Sequence, residues 1–243
     1  MTGSITARSL RRFLQEPAAP SQERCELCAT PVPGEHPHLV EPAQRRLLCA
    51  CTACGVLFSD PGLRYRRVPD RHLVDPAFTL SDAQWDALQV PVGMAFFLVN
   101  SARGAVVASY PSPAGATESE LTLEAWADGV GASALAAALE PDVEALLVRR
   151  GDAGRGGRAE ALLVPVDACY RLVGLVRRNW KGFDGGTEAW AAIDAFFDEL
   201  RERARELRGP TVGGAAVNGA APQRIAPDRR PRDGAASEPV PPC

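Results

Sequence analysis

The sequence predicts an α+β protein. An N-terminal zinc-ribbon or rubredoxin-like metal module precedes a four-stranded antiparallel sheet with helices and a long C-terminal helix. Three observations predict this. Two C-x-x-C pairs, Cys25-Glu26-Leu27-Cys28 and Cys51-Thr52-Ala53-Cys54, are separated by enough chain to form a hairpin that brings them together. A unit of two apolar strands followed by helical sequence is then written twice. Finally, Trp190, Ile193, Phe197 and Leu200 recur at helical spacing near the end. The expected organisation is an arm over residues 1–21, a metal-binding module over 22–75, an α+β domain over 76–208 and a disordered tail over 209–243.

In the arm, Leu10, Phe13 and Leu14 outline a short helix from Ser4 to Gln15. Leu63 to Val68 alternates apolar and arginine residues, which suits a strand. Ser81 and Gln84 make a capping-box pattern for a helix that Pro91 stops. Met94 to Ser101 and Ala105 to Tyr110 read as strands around an Ala-Arg-Gly turn. Apolar residues fill both faces of Ala95 to Val99, so that strand is expected at the centre and covered on both sides. The hydroxyl-rich stretch from Tyr110 to Glu120, with Thr117 and Glu120 as a second capping-box pair, is expected to open a helix. Val143 to Arg149 and Glu160 to Val166 form the second strand pair, followed by helices from Cys169 to Trp180 and Thr187 to Leu207. After Gly209 the chain is Pro, Gly, Ala and Arg without periodicity. Such a segment buries too little apolar area to offset its entropy.

Five of the seven cysteines are Cys25, Cys28, Cys49, Cys51 and Cys54. A module of this size has too little core to fold by burial alone, and thiolate–zinc binding supplies roughly 10–16 kcal/mol in small peptides. Cys25, Cys28, Cys51 and Cys54 are therefore the expected metal ligands. Gly55 follows the second pair, where a positive φ is often required. Cys49 is the surplus thiol: an additional ligand, or a small residue in a half-buried strand. His36 and His38 flank Pro37 and share a face if extended, as additional ligands that complete a second site, as donors to the thiolates, or as ordinary loop histidines. Four thiolates suit zinc and iron alike. Structural zinc is the principal expectation, and an iron centre of rubredoxin type, which makes the chain an electron carrier, is the alternative.

The opening residues lack the apolar core of a signal peptide, and the longest apolar run, Val92 to Val99, is too short to cross a bilayer. A cytoplasmic setting follows, where clustered thiols mean metal more often than disulfides. The formal net charge of −3 argues against a general nucleic-acid or anionic-membrane binder. Arg64, Arg66, Arg67 and Arg71 nevertheless offer a basic face for nucleic acid as a further alternative. Asp167, Cys169 and Tyr170 form the nearest approach to a nucleophile with helpers, but Cys169 lies on the apolar stripe of its helix. No catalytic residues are assigned, and nothing positive points to an enzyme.

Glu35-His36-Pro37-His38-Leu39, then L-L-C-A-C-T-A-C-G-V-L-F, resembles the front of an uncharacterised family of cysteine-rich proteins from high-GC Gram-positive bacteria. P-V-G-M-A-F-F, Y-P-S-P-A-G-A-T-E-S, P-D-V-E-A-L-L-V, V-P-V-D-A-C-Y-R-L-V-G and W-K-G-F-D-G-G extend the likeness over roughly residues 24 to 205. Genes of that family sit typically beside those of NiFe-hydrogenases. The resemblance implies an accessory protein and a partner class, a hydrogenase subunit or assembly factor, and transfers no site residues.

Overall fold

A computed structural model describes residues 22–58, 64–151, 157–182 and 184–207. The expected Ser4–Gln15 helix and the tail after Gly209 lie outside the described residues. The first pair of cysteines occupies a turn, after which β1 (His38–Glu41) and β2 (Arg46–Cys49) form an antiparallel hairpin. The short helix α1 (Thr52–Leu57) follows at once, and β3 (Arg66–Arg67) adds to the free edge of β1. Of the expected Leu63–Val68 strand, Arg66 and Arg67 form the ladder and Val68 N–H donates to His38 O at 3.0 Å, while Leu63 lies outside the described residues.

The chain continues through β4 (Leu73–Val74), α2 (Asp82–Ala87), β5 (Met94–Asn100), β6 (Ala105–Ser112) and β7 (Gly115–Glu118). Then come α3 (Leu123–Asp128), one 3-10 turn and α4 (Ala134–Ala138). The last elements are β8 (Glu144–Arg149), β9 (Glu160–Pro165), α5 (Val166–Asn179), α6 (Gly186–Arg203) and β10 (Arg205–Glu206). Seven strands make one sheet in the order β10-β4-β9-β8-β5-β6-β7, antiparallel except where β10 runs parallel to β4. The expected four strands are thus the contiguous centre, β9-β8-β5-β6, of a wider sheet. The three added strands are short or edge pieces with weak patterns.

Register explains the continuous apolar runs. Phe96 opposes Leu147 and Leu147 opposes Leu162, all on the face covered by α5 and α6. Their neighbours Phe97, Leu146 and Leu163 point the other way, toward Trp85, Val130 and Leu135. Helices therefore cover both faces, which gives three layers. A strand buried on both sides has no need of polar alternation.

The capping box of α2 forms as expected, with Ser81 Oγ accepting the Gln84 N–H and the Gln84 side chain accepting the Ser81 N–H. The Thr117–Glu120 box does not. β6 runs on through Pro111 to Ser112 and returns as β7, and the next helix is capped instead by Thr122. The prolines that suggest a loop occupy a sheet margin, where a missing N–H donor is tolerated. Among the described residues, no helix is long and apolar enough to cross a membrane.

The N-terminal sheet is seated on the large domain. Val40 and Val68 enter the same core as Phe196 and Leu200. The arginines between the two parts tie them together. Arg66 donates to Pro141 O at 2.7 Å and pairs with Glu140 and Asp142. Arg71 clasps both oxygens of the fully buried Glu144 carboxylate, at 2.7 and 2.5 Å.

Candidate metal centre

Cys25 and Cys28 sit in a turn closed by Ala29 N–H donating to Cys25 O and Cys25 N–H donating to Thr30 O, both at 2.8 Å. Ala29, just after the second cysteine, adopts φ +62°. That conformation was expected at Gly55 instead. Gly55 lies within α1, and its need is space, because a Cβ there would stand 3.1 Å from Pro37 Cβ. The hairpin of β1 and β2 returns the chain to the turn. Glu26 N–H donates to Cys49 O at 2.9 Å, and the Glu26 carboxylate accepts the Cys49 N–H at 2.8 Å. Cys51 then caps α1, its sulfur accepting the Cys54 N–H at 3.5 Å. The second pair thus opens a helix, and the module reads turn, hairpin, helix.

These elements bring Cys25, Cys28, Cys51 and Cys54 together, with all four sulfurs within 4.8 Å of one another and Cys28 and Cys51 at 3.7 Å. Tetrahedral coordination with metal–sulfur bonds of about 2.3 Å requires sulfurs roughly 3.8 Å apart. The four thiols are free, so no disulfide competes for them. The donor set fits a tetrahedral ion of the zinc or iron kind.

The protons of the set are unevenly held. Hydrogen bonding from Thr30, first through its hydroxyl and then its N–H, pulls the Cys28 thiol down to about 6. Burial works against ionisation of Cys25, yet backbone donors from Cys51, Leu27 and Cys28 outweigh it and hold that thiol below its ordinary 9.0. Burial and the neighbouring sulfurs push Cys54 up to about 12. Four adjacent thiolates repel, and a central divalent cation offsets that repulsion and displaces the remaining protons. The hydrophobic cluster around them consists of Cys25, Val32, Leu39, Ala50 and Cys54. Two of its five buried members belong to the four-cysteine set, with Leu27, Phe58 and Tyr65 packed against them, so the module's own core is small.

A second convergence lies beside the first. A ring nitrogen of His36, a ring nitrogen of His38 and the Cys49 sulfur lie within 4.8 Å of one another. His38 opposes Cys49 in the hairpin register, and the two imidazoles lie 4.7 Å apart between centroids, tilted by 51°. Asp167, in the first turn of α5, holds His38 Nδ1 at 2.8 Å. No local pattern announces Asp167, because the pair is separated by 129 positions.

Cys169 is fully buried, and burial pushes its thiol up, away from any nucleophilic role. Of the four arginines considered for a basic face, Arg64, Arg66 and Arg71 are ion-paired with Glu41, Glu140, Asp142 and Glu144. Only Arg67 of that group is left to offer charge in the manner the nucleic-acid reading needs.

The fold and site together define a small α+β protein with an N-terminal four-cysteine centre compatible with metal binding. Residues 24–204 match a family of unknown function, DUF5947, and the chain belongs to that family. No curated protein and no solved structure gives a match.

Proposed function

We propose that Cys25, Cys28, Cys51 and Cys54 hold a structural zinc ion, and that the module it locks serves an accessory role through protein–protein contacts in the cytoplasm. The partner, on the resemblance described above, is a NiFe-hydrogenase subunit or assembly factor. The observation that carries the metal reading is the 3.7 Å sulfur separation within a four-sulfur cluster. The docking reading is supported by α1, which presents Val56 and Leu57 at 57% and 69% exposure beside the metal ligands. Large apolar side chains so exposed on a rigid element suit a partner contact.

Zinc binding is worth roughly 10–16 kcal/mol in comparable sites, far more than a five-residue cluster yields. In the full chain, a strong chelator should therefore abolish amide protection at Ala29, Ala50 and Gly55. All four tryptophans, Trp85, Trp126, Trp180 and Trp190, lie in the larger domain, and their emission should stay native. Anaerobically purified protein with neither stoichiometric zinc nor iron would overturn the proposal. The electron-carrier reading draws support from Cys28, an exposed ligand that brings the centre to the surface. It requires iron, with thiolate-to-iron absorption that bleaches on reduction, and a colourless zinc-loaded protein sinks it. Pull-down from cells making the hydrogenase tests the partner.

A further inference from the structure

We infer that His36, His38 and Cys49 form a second metal site, separate from the four-cysteine centre, that takes one divalent ion of the zinc type. The tautomers carry the argument. Pro33 O, 2.8 Å from His36 Nδ1, has no proton to give, so that nitrogen must donate. The Glu23 carboxylate, 3.7 Å away, faces the same nitrogen. Asp167 Oδ2, 2.8 Å from His38 Nδ1, likewise accepts. With Nδ1 as the donor, Nε2 is the nitrogen each ring offers to a metal, the arrangement in which a carbonyl or carboxylate orients a metal-binding imidazole.

His36 Nε2 is the second observation. Its side chain is only 3% exposed, and this nitrogen is buried with no hydrogen-bond partner. Leaving such an acceptor unsatisfied costs about 1–3 kcal/mol, which a purely packing role does not explain. A cation shared with His38 and the Cys49 sulfur satisfies it. The framework is fixed on every side. Cys49 is held through its backbone by Glu26, and His38 by its pairing in β1 and by α5. Pro37 between the histidines packs against Gly55. Three protein ligands leave a fourth position for water or another small ligand, as in zinc centres that exchange a ligand.

The test is metal counting on the full chain, anaerobic and reduced, loaded with zinc or with cobalt as its coloured stand-in. Two equivalents are expected. Cys49→Ala and His36→Gln should each hold one, with the cobalt tetrathiolate bands unchanged. Asp167→Asn should keep both but weaken the second by about 10–100-fold. Cys28→Ala should lose both equivalents, because the hairpin that carries His36, His38 and Cys49 orders only with the first ion. Cys49→Ala and His36→Gln lose the second alone, so failure of one site is distinguished from failure of the other. A wild-type chain that binds one ion, lost in Cys28→Ala and retained in Cys49→Ala, overturns the inference. So does retention of two ions by both Cys49→Ala and His36→Gln. If Cys49→Ala loses amide protection at Ala50 and Gly55, and so proves misfolded, His36→Gln and Asp167→Asn decide, and two undiminished equivalents in both refute the site.

Discussion

Removing the Arg71 side chain should expose the cost of a buried charge left alone. Glu144 is 0% exposed at its side chain, and its carboxylate receives both arms of Arg71 and the Glu140 N–H at 2.9 Å. In Arg71→Ala one backbone donor remains for a full negative charge, and Ala138 O loses its 2.8 Å donor as well. Breaking a buried pair from one side costs about 3–5 kcal/mol. Arg71 is itself 41% exposed, so water reaches the vacated space and the low end, about 3 kcal/mol, is the appropriate figure. For a chain of this size that corresponds to a fall in Tm of roughly 6–12 °C. In urea followed by tryptophan emission, with a slope of about 2–3 kcal/mol/M, the midpoint should drop by roughly 1–1.5 M. Replacing both partners by apolar residues, as in Arg71→Met with Glu144→Leu, should return most of the loss. A single variant costing under about 1 kcal/mol, or a double variant as damaged as the single, refutes the reasoning.

Other expectations follow from single contacts. Gly55→Ala should forfeit the roughly 1 kcal/mol that alanine normally brings to a helix, because its Cβ meets Pro37 at 3.1 Å; a clear rise in thermal stability would show that the contact relaxes freely. Burial, then the charge of Arg203, hold the His72 imidazole below its ordinary 6.5. The unfolded chain therefore takes up the proton first, so this contribution is complete above pH 6.5 and is lost as pH falls below it. His72→Gln should flatten that part of the profile of urea midpoints against pH, and an unaltered profile would exclude the assignment. Cys169 should resist alkylation in the native protein, and Cys169→Ser should cost about 1–3 kcal/mol by burying a hydroxyl in an apolar site. Rapid labelling of that thiol would contradict its burial.

The parts of the fold legible in the sequence are those whose cause is local. The two C-x-x-C pairs, the apolar runs at Ala95 to Val99 and Val143 to Val148, and the Ser81 cap each carry their signal within a few residues. What escaped depends on distant partners. β4 and β10 are two-residue strands, and nothing in Leu73-Val74 or Arg205-Glu206 states that they pair with each other across most of the chain. Pro111 signals a break, yet the sheet margin accepts it. Gly55 was readable as a special position, but only the packing reveals that the requirement is clearance from Pro37. The same limit applied at the histidines. Their common face was visible in the sequence, whereas the orienting carboxylate of Asp167 arrives from another domain layer.

The pairing of β10 with β4 has a consequence for assembly on the ribosome. Strands β5, β6, β8 and β9 are joined by neighbours in sequence and can gather as soon as residue 165 has emerged. β4 is sealed on its outer side only when Arg205 N–H reaches His72 O and Leu207 N–H reaches Val74 O. Such long-range closure comes late and slowly. β10 therefore acts as a latch on the earliest strand of the large sheet, and the outer side of β4 stays open until Leu207 has emerged.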